Sequence, residues 1–253
     1  MSNSELSRPM HVSLTGKVAL ITGGAVRVGR VISLALAGRG ASVAFTYLPG
    51  EPYEATAAEI ASLGVEALPL PLDVREPGGP ETVVQQVLDR FGRLDILLNS
   101  ASVWLKAPFV EITLEDWQKA LDINLTGPFL MSQAAAKPML RQESGLISSI
   151  TDLSAYQTWE GYAHHAASKA GLVALTRVMA AELAPHVRVN AIAPGTVLLP
   201  DGANAAKIQW AEENSLLKRV GHPEDVARTV LFLVDSDFAT GAVYFIDGGR
   251  ALV

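Results

Sequence analysis

The sequence predicts a single doubly wound α/β domain, and three observations carry that prediction. Strand-length apolar runs alternate with helix-length amphipathic stretches from residue 17 to residue 246, the signature of right-handed β-α-β units around a parallel sheet. The runs are continuously apolar, as strands are when helices cover both faces of the sheet. The 253 residues show no break in composition and no internal repeat, and that length suits one domain of this kind.

In order, residues 17–22 read as a first strand and 28–38 as the helix after it. A second strand at 41–47 precedes a helix at 51–63, and a third at 65–72 precedes a helix at 82–91. Residues 94–98 form a fourth strand; 114–141 is helical material interrupted at Gly127-Pro128. A fifth strand at 145–150 leads to a long helix at 162–184, and a sixth at 187–193 follows. A helix at 223–234 opens on a proline, which suits a first helical position, and a seventh strand at 242–246 closes the sheet. Residues 1–13 read as a flexible tail before a catalytic domain at 14–253. The least regular stretch, 196–217, is expected to be a mobile lid over the substrate.

Composition removes several function classes. Hydrophobic residues make up 49% of the chain and charged residues 18%, enough for a sizeable core, yet no apolar run reaches the ~18 residues of a membrane helix. The start has no basic segment, apolar run and cleavage site of a signal peptide. Twenty Lys and Arg against 26 Asp and Glu, with no basic run, argue against a nucleic-acid surface. There are no cysteines, which excludes disulfides, thiolate chemistry and cysteine–zinc sites. A cytoplasmic protein acting on a small molecule is the expectation, with no membrane or nucleic-acid partner.

After the first strand stands Thr22-Gly23-Gly24-Ala25-Val26-Arg27-Val28-Gly29, leading into a helix. Glycines there let the backbone approach a pyrophosphate, while the helix N-terminus offers N–H groups and positive dipole. At this point the sequence resembles the short-chain dehydrogenase/reductase family, whose loop reads Thr-Gly-x-x-x-Gly-x-Gly. Arg27 replaces the middle glycine, a variant resembling that of pteridine reductases. The resemblance implies a Rossmann-type fold and a role for Arg27 at the cofactor phosphates and the substrate.

The resemblance continues in order along the chain. The second strand ends in Thr46-Tyr47, with no carboxylate before Glu51. An NAD site usually carries an acid there, so NADP(H) is the expected cofactor, with NAD(H) possible. Asp73-Val74 resembles the adenine-contacting turn after the third strand. Asn99-Ser100-Ala101-Ser102 resembles the turn after the fourth, in its pteridine-reductase form. Pro194-Gly195-Thr196 resembles the nicotinamide-side turn, and Asp247-Gly248-Gly249 the family's ending. The family also implies a homotetramer, packed through the long helix (172–184) and the last strand.

The catalytic set departs from the pattern. The family uses Asn, Ser and Tyr-x-x-x-Lys, the last two sharing one helix face. Here Asn124 and Lys169 match, Asp152 stands for Ser, and His165 stands for Tyr. The resemblance implies that Lys169 holds the ribose and that Asn124 positions Lys169 through a water. Asp at position 152 is shared with pteridine reductases, where an aromatic at the place of Trp104 stacks on the pterin. Trp104 therefore reads either as a substrate wall or as a gap-filling loop residue. Three readings of His165 stay open. An Asp152–His165 pair can serve as the acid near neutral pH. Tyr162, seven residues before Lys169 as in enoyl-acyl-carrier-protein reductases, can donate instead. In the third reading catalysis is lost and the chain binds dinucleotide only. His164 is expected on the surface, and no metal motif of the His-Glu-x-x-His kind appears.

Overall fold

The computed structural model describes residues 11–200 and 202–253. Seven strands form one parallel sheet in the order β3-β2-β1-β4-β5-β6-β7. They are β1 (Val18–Thr22), β2 (Ser42–Tyr47), β3 (Ala67–Pro71), β4 (Ile96–Asn99), β5 (Gly145–Ile150), β6 (Val187–Pro194) and β7 (Val243–Ile246). The strand order reverses between β1 and β4, paired from Ala19↔Ile96 to Thr22↔Asn99. Such a switch point opens a crevice at the carboxyl ends of the strands, where ligands bind. Every residue of β1 and β4 is buried, as the unbroken apolar runs require.

Helices cover both faces. On one side α1 (Arg27–Gly38), α2 (Glu54–Ser62) and α8 (Pro223–Asp235) pack over a core that includes Ile21, Ile32, Phe45 and Leu233. On the other, α3 (Gly79–Phe91), α5 (Gly127–Arg141) and α6 (Ala163–Leu183) enclose Leu20, Val87, Met131 and Ile147. His222 caps α8 and Asp225 bonds back to the His222 amide at 2.9 Å, a capping box in front of the proline at the first position.

Four local expectations change. The interruption expected at Gly127-Pro128 is a π turn, Asp122–Thr126, joining α4 (Leu114–Leu121) to α5 without a break. Pro128 has no N–H to give the Asn124 carbonyl, and the Gly127 N–H reaches back to Asp122 instead. The stretch 196–217 is not wholly irregular: it holds α7 (Ala205–Glu213), capped by Asn204, which accepts the Lys207 N–H at 3.0 Å. The second helix starts at Glu54 rather than 51, because residues 48–51 turn on a Glu51 N–H to Leu48 carbonyl bond of 2.8 Å. The long helix starts at Ala163, leaving Tyr162 as its cap. Of the expected tail, residues 1–10 lie outside the described residues. Val12 is pinned, its N–H donating to Asp235 at 2.8 Å and its carbonyl accepting from Arg39 at 2.7 Å. Among the described residues no helix is long and apolar enough to cross a membrane.

Candidate active site

The glycine loop is folded too tightly for side chains. A Cβ on Gly29 would stand 2.2 Å from the Gly23 carbonyl oxygen, one on Gly24 2.7 Å from Phe45 Cβ, and Gly23 holds a φ of +63° against Ala101. The loop's polar groups are fixed internally: Gly23 N–H donates to Thr46 Oγ1 at 3.1 Å, Gly24 N–H to Thr46 O at 3.0 Å, and Thr56 Oγ1 to Ala25 O at 2.7 Å. The first-turn amides of α1, Val28 and Gly29 among them, have no intrahelical carbonyl to reach and face an anion site by construction. A turn packed too closely for side chains, in front of a helix N-terminus, fits a dinucleotide pyrophosphate. Arg27 is exposed at the head of α1 with φ +53°, a left-handed conformation that costs a non-glycine residue about 1–2 kcal/mol. Thr22 Oγ1 accepts the amides of Ser100 and Ala101 at 3.0 and 3.1 Å, joining the loops after β1 and β4 across the switch point.

At the end of β2, Tyr47 stacks on Tyr53 with ring centres 4.1 Å apart. A hollow of about 500 Å³ opens beside them and is also lined by Glu51 and Glu54, with no lysine or arginine. Glu51 curls back to accept the Leu48 N–H at 3.1 Å. Asp73 is held by Arg75, whose Nη2 lies 2.6 Å from Oδ2; that hydrogen bond holds the carboxyl below the usual carboxylate range. Val74 is buried against Gly127, where a Cβ would stand 2.8 Å from Val74 Cγ2. On the far side, Gly195 N–H donates to Ile246 O at 3.0 Å, placing Pro194 and Thr196 beside Asp247.

The reaction centre forms where β4, β5 and α6 meet. His165 Nε2 lies 2.6 Å from Asp152 Oδ2, and His165 Nδ1 lies 3.2 Å from the Val103 carbonyl. The His165 side chain is 1% exposed and that of Asp152 13%, so the carboxylate is the part of the pair that reaches the crevice. The other Asp152 oxygen accepts the Ser154 N–H at 2.8 Å, which sets its direction. Burial pushes the Asp152 carboxyl up. The His165 hydrogen bond and the Lys169 and His165 charges outweigh that push and hold it below the usual range. Lys169 Nζ donates to Ile150 O at 2.9 Å; burial lowers its ammonium from the ordinary range, and Asp152 opposes that shift.

Asn124, wholly buried on the π turn, ties the loop after β4 to the start of α6. Its Oδ1 accepts from Ser102 Oγ at 3.0 Å and Val103 N–H at 2.9 Å. Its Nδ2 donates to Val103 O at 3.1 Å and Ser168 Oγ at 3.2 Å, and stands 3.4 Å from His165 Nδ1. Asn99 points inward, donating to Ser132 and Ser149 at 3.0 and 3.2 Å, and so fixes the end of β4. Trp104 is 54% exposed and covers His165, with ring centres 4.5 Å apart. Tyr162 leans on Trp104 at 5.2 Å and lies 6.3 Å from His165. It is the cap of α6, with φ −123° and ψ 27°, and its carbonyl accepts the Ala166 N–H at 2.8 Å. His164 is fully buried, not on the surface, and neither ring nitrogen has a partner.

Sequence reasoning missed the far wall. Arg250 donates to Thr196 Oγ1 at 3.0 Å with its guanidinium between two rings, 5.0 Å from Trp159 and 4.8 Å from Trp210. These three residues come from separate segments, so no local spacing marked them. Ser168, beside Lys169, was equally silent. Among the described residues no group of acidic or histidine side chains is placed to hold a metal ion.

This geometry, a glycine-rich turn at a helix N-terminus with Lys169 and the Asp152–His165 pair across the switch point, is that of a nicotinamide-dependent oxidoreductase. The family model described as enoyl-(acyl carrier protein) reductase matches residues 24–251. The chain is 37% identical over 248 residues to a 3-oxoacyl-[acyl-carrier-protein] reductase of Synechocystis sp., across 95% of this chain and 99% of that protein. It is also 37% identical to a D-threitol dehydrogenase of Mycolicibacterium smegmatis, across 98% of each. A short-chain dehydrogenase/reductase from Serratia marcescens superposes with a TM-score of 0.89 at 33% identity, across 95% of this chain and 100% of that one. The chain therefore belongs to the short-chain dehydrogenase/reductase family. These relatives are not pteridine reductases, so the narrower likeness rests on the loop and site residues alone.

Proposed function

We propose that this protein moves hydride between a bound nicotinamide dinucleotide and a C=O or C=N group of a small planar substrate, with Asp152 and His165 acting together in place of the family tyrosine. The 2.6 Å contact between His165 Nε2 and Asp152 Oδ2 beside Lys169 carries this reading. The nicotinamide supplies the hydride when bound. The chain supplies the proton. His165 Nε2 faces the Asp152 carboxylate, while the Val103 carbonyl and the Asn124 amide at Nδ1 fix the ring. Because His165 is covered, its proton leaves through the Asp152 carboxylate, the group open to the crevice. Lys169 keeps that carboxylate anionic between transfers and, as the resemblance implies, holds the ribose. Arg27, Asp152, the Asn99-Ser100-Ala101-Ser102 turn and the exposed face of Trp104 support a pteridine-like substrate.

At the nucleoside end we infer that NAD(H) is accepted. The expectation of NADP(H) rested on there being no acid before Glu51, but Glu51 returns to the strand end, and no cation lines the hollow beside it. A 2′-phosphate gains no partner among those groups. A homotetramer is proposed from the family likeness, with exposed Phe245 on the edge strand β7 and exposed Val178 on α6 in support; light scattering should then give about four times 26.8 kDa.

The test is oxidation of NADH and NADPH by the purified protein with a dihydropterin, a 3-oxoacyl thioester and an enoyl thioester in parallel. Turnover on the dihydropterin, abolished in His165→Ala with dinucleotide binding unchanged, is the expected result. Turnover on the enoyl thioester alone, lost in Tyr162→Phe and kept in His165→Ala, would move the donor to Tyr162. Dinucleotide binding with no turnover on any of the three and no effect of His165→Ala on any other carbonyl would make this a binding protein.

A further inference from the structure

A cavity of about 540 Å³ lies beside Thr196, Gly248 and α7, where the chain's C-terminal turn crosses the end of the sheet. Three arginines line it, Arg219, Arg228 and Arg250, against two aspartates, Asp225 and Asp247. The charges do not cancel evenly. Asp225 stands 3.7 Å from Arg219 and 3.4 Å from Arg228. Asp247 is turned onto the tail's own backbone, accepting Gly249 N–H at 2.9 Å and Ala251 N–H at 2.7 Å. Arg250 alone is left without a carboxylate within 4 Å among the described residues.

Arg250 is nevertheless half-buried and fixed. Trp159 and Trp210 flank its guanidinium, Thr196 takes one N–H, and Gln157 Nε2 holds the Arg250 carbonyl at 3.1 Å. A desolvated cation without a counter-charge is costly, and five N–H groups in a rigid fork match a carboxylate with two parallel hydrogen bonds. Burial pushes the guanidinium below its ordinary range, and the Asp152 and Asp247 charges only partly restore it.

We propose that Arg250 is the specificity residue of this enzyme: it binds a carboxylate carried by the substrate, whose planar body lies along the tryptophans and whose reducible group meets Asp152. The location of the reducible group rests on the proposed function above; the anion site does not. The Trp159–Arg250–Trp210 stack pre-forms the site, so no ordering of a long side chain accompanies binding.

Binding of 2-naphthoate and of its neutral isostere 2-naphthamide to the NADH-loaded protein, measured by calorimetry, tests this without any turnover. The parent is expected to prefer the carboxylate at least about tenfold, and Arg250→Met to bind both alike. Arg250→Gln, which keeps a planar polar head between the rings, serves where Arg250→Met fails to fold and should lose the preference equally. Equal binding of the two probes by the parent, or a preference that survives both substitutions, overturns the proposal. His165→Ala should keep the preference in full, so a failed catalytic reading and a failed anion site give different results. Loss of the preference in His165→Ala counts against Arg250 as its source.

Discussion

His164 and His165 are consecutive on α6, equally buried, and in opposite surroundings. His165 faces β5 and the crevice, with Asp152 at 2.6 Å and the Val103 carbonyl at 3.2 Å. His164 is turned about 100° round the helix and neither ring nitrogen meets a partner. An imidazole buried with two engaged nitrogens can hold and pass a proton. One buried with none only bears the cost of losing water, about 1–3 kcal/mol for an unsatisfied polar group. The two faces of one helix thus separate chemistry from packing, and burial alone would not have told them apart.

The sharpest way to break that contrast is to delete each ring. His165→Ala should lower kcat by about 10²–10⁴, the range of a lost general acid, with dinucleotide affinity unchanged in a fluorescence titration. His164→Ala should leave kcat within a few fold. Asp152→Asn should match His165→Ala, and the double variant should lose no more than either single one, because the two act as a unit. Additive losses in that cycle would separate them.

A smaller effect is expected at Arg27, the other residue whose position conflicts with its local surroundings. Arg27→Gly relieves a φ of +53° and should raise stability by about 1 kcal/mol while weakening dinucleotide binding about tenfold, read by thermal melting with and without NADH. An affinity that rises with the stability would deny Arg27 a place at the phosphates. The smallest effect belongs to His164→Leu, which should stabilise the fold by about 1 kcal/mol. Burial lowers the His164 pKa from 6.5, with Asp116 opposing. The unfolded chain therefore binds the extra proton first, and stability falls as pH drops below about 6.5. His164→Leu should flatten that limb of a denaturation-midpoint profile; an unchanged limb would assign it elsewhere.

The fold was legible because its evidence is local. Val18–Ile21 and Ile96–Leu98 are apolar throughout and sit at the sheet centre, and glycines 23, 24 and 29 occupy positions that tolerate no Cβ. The site was legible where one short motif holds its residues, as for His165 and Lys169. It was not legible where contact depends on distant segments. Trp159, Trp210 and Arg250 are separated by long stretches of chain, and α7 has too weak an apolar face to be read from periodicity. His164 was misread for the same reason: which neighbour covers a helix face is decided by α4, not by α6.

The aromatic arrangement has an optical consequence. The chain has four tryptophans, and Trp104, Trp159 and Trp210 stand around the crevice, one over an imidazole and two against a guanidinium. Only Trp117, on α4, lies outside this cluster. Three of the four tryptophans therefore border the site, so the intrinsic fluorescence should register ligand entry and displacement of α7 without any attached dye.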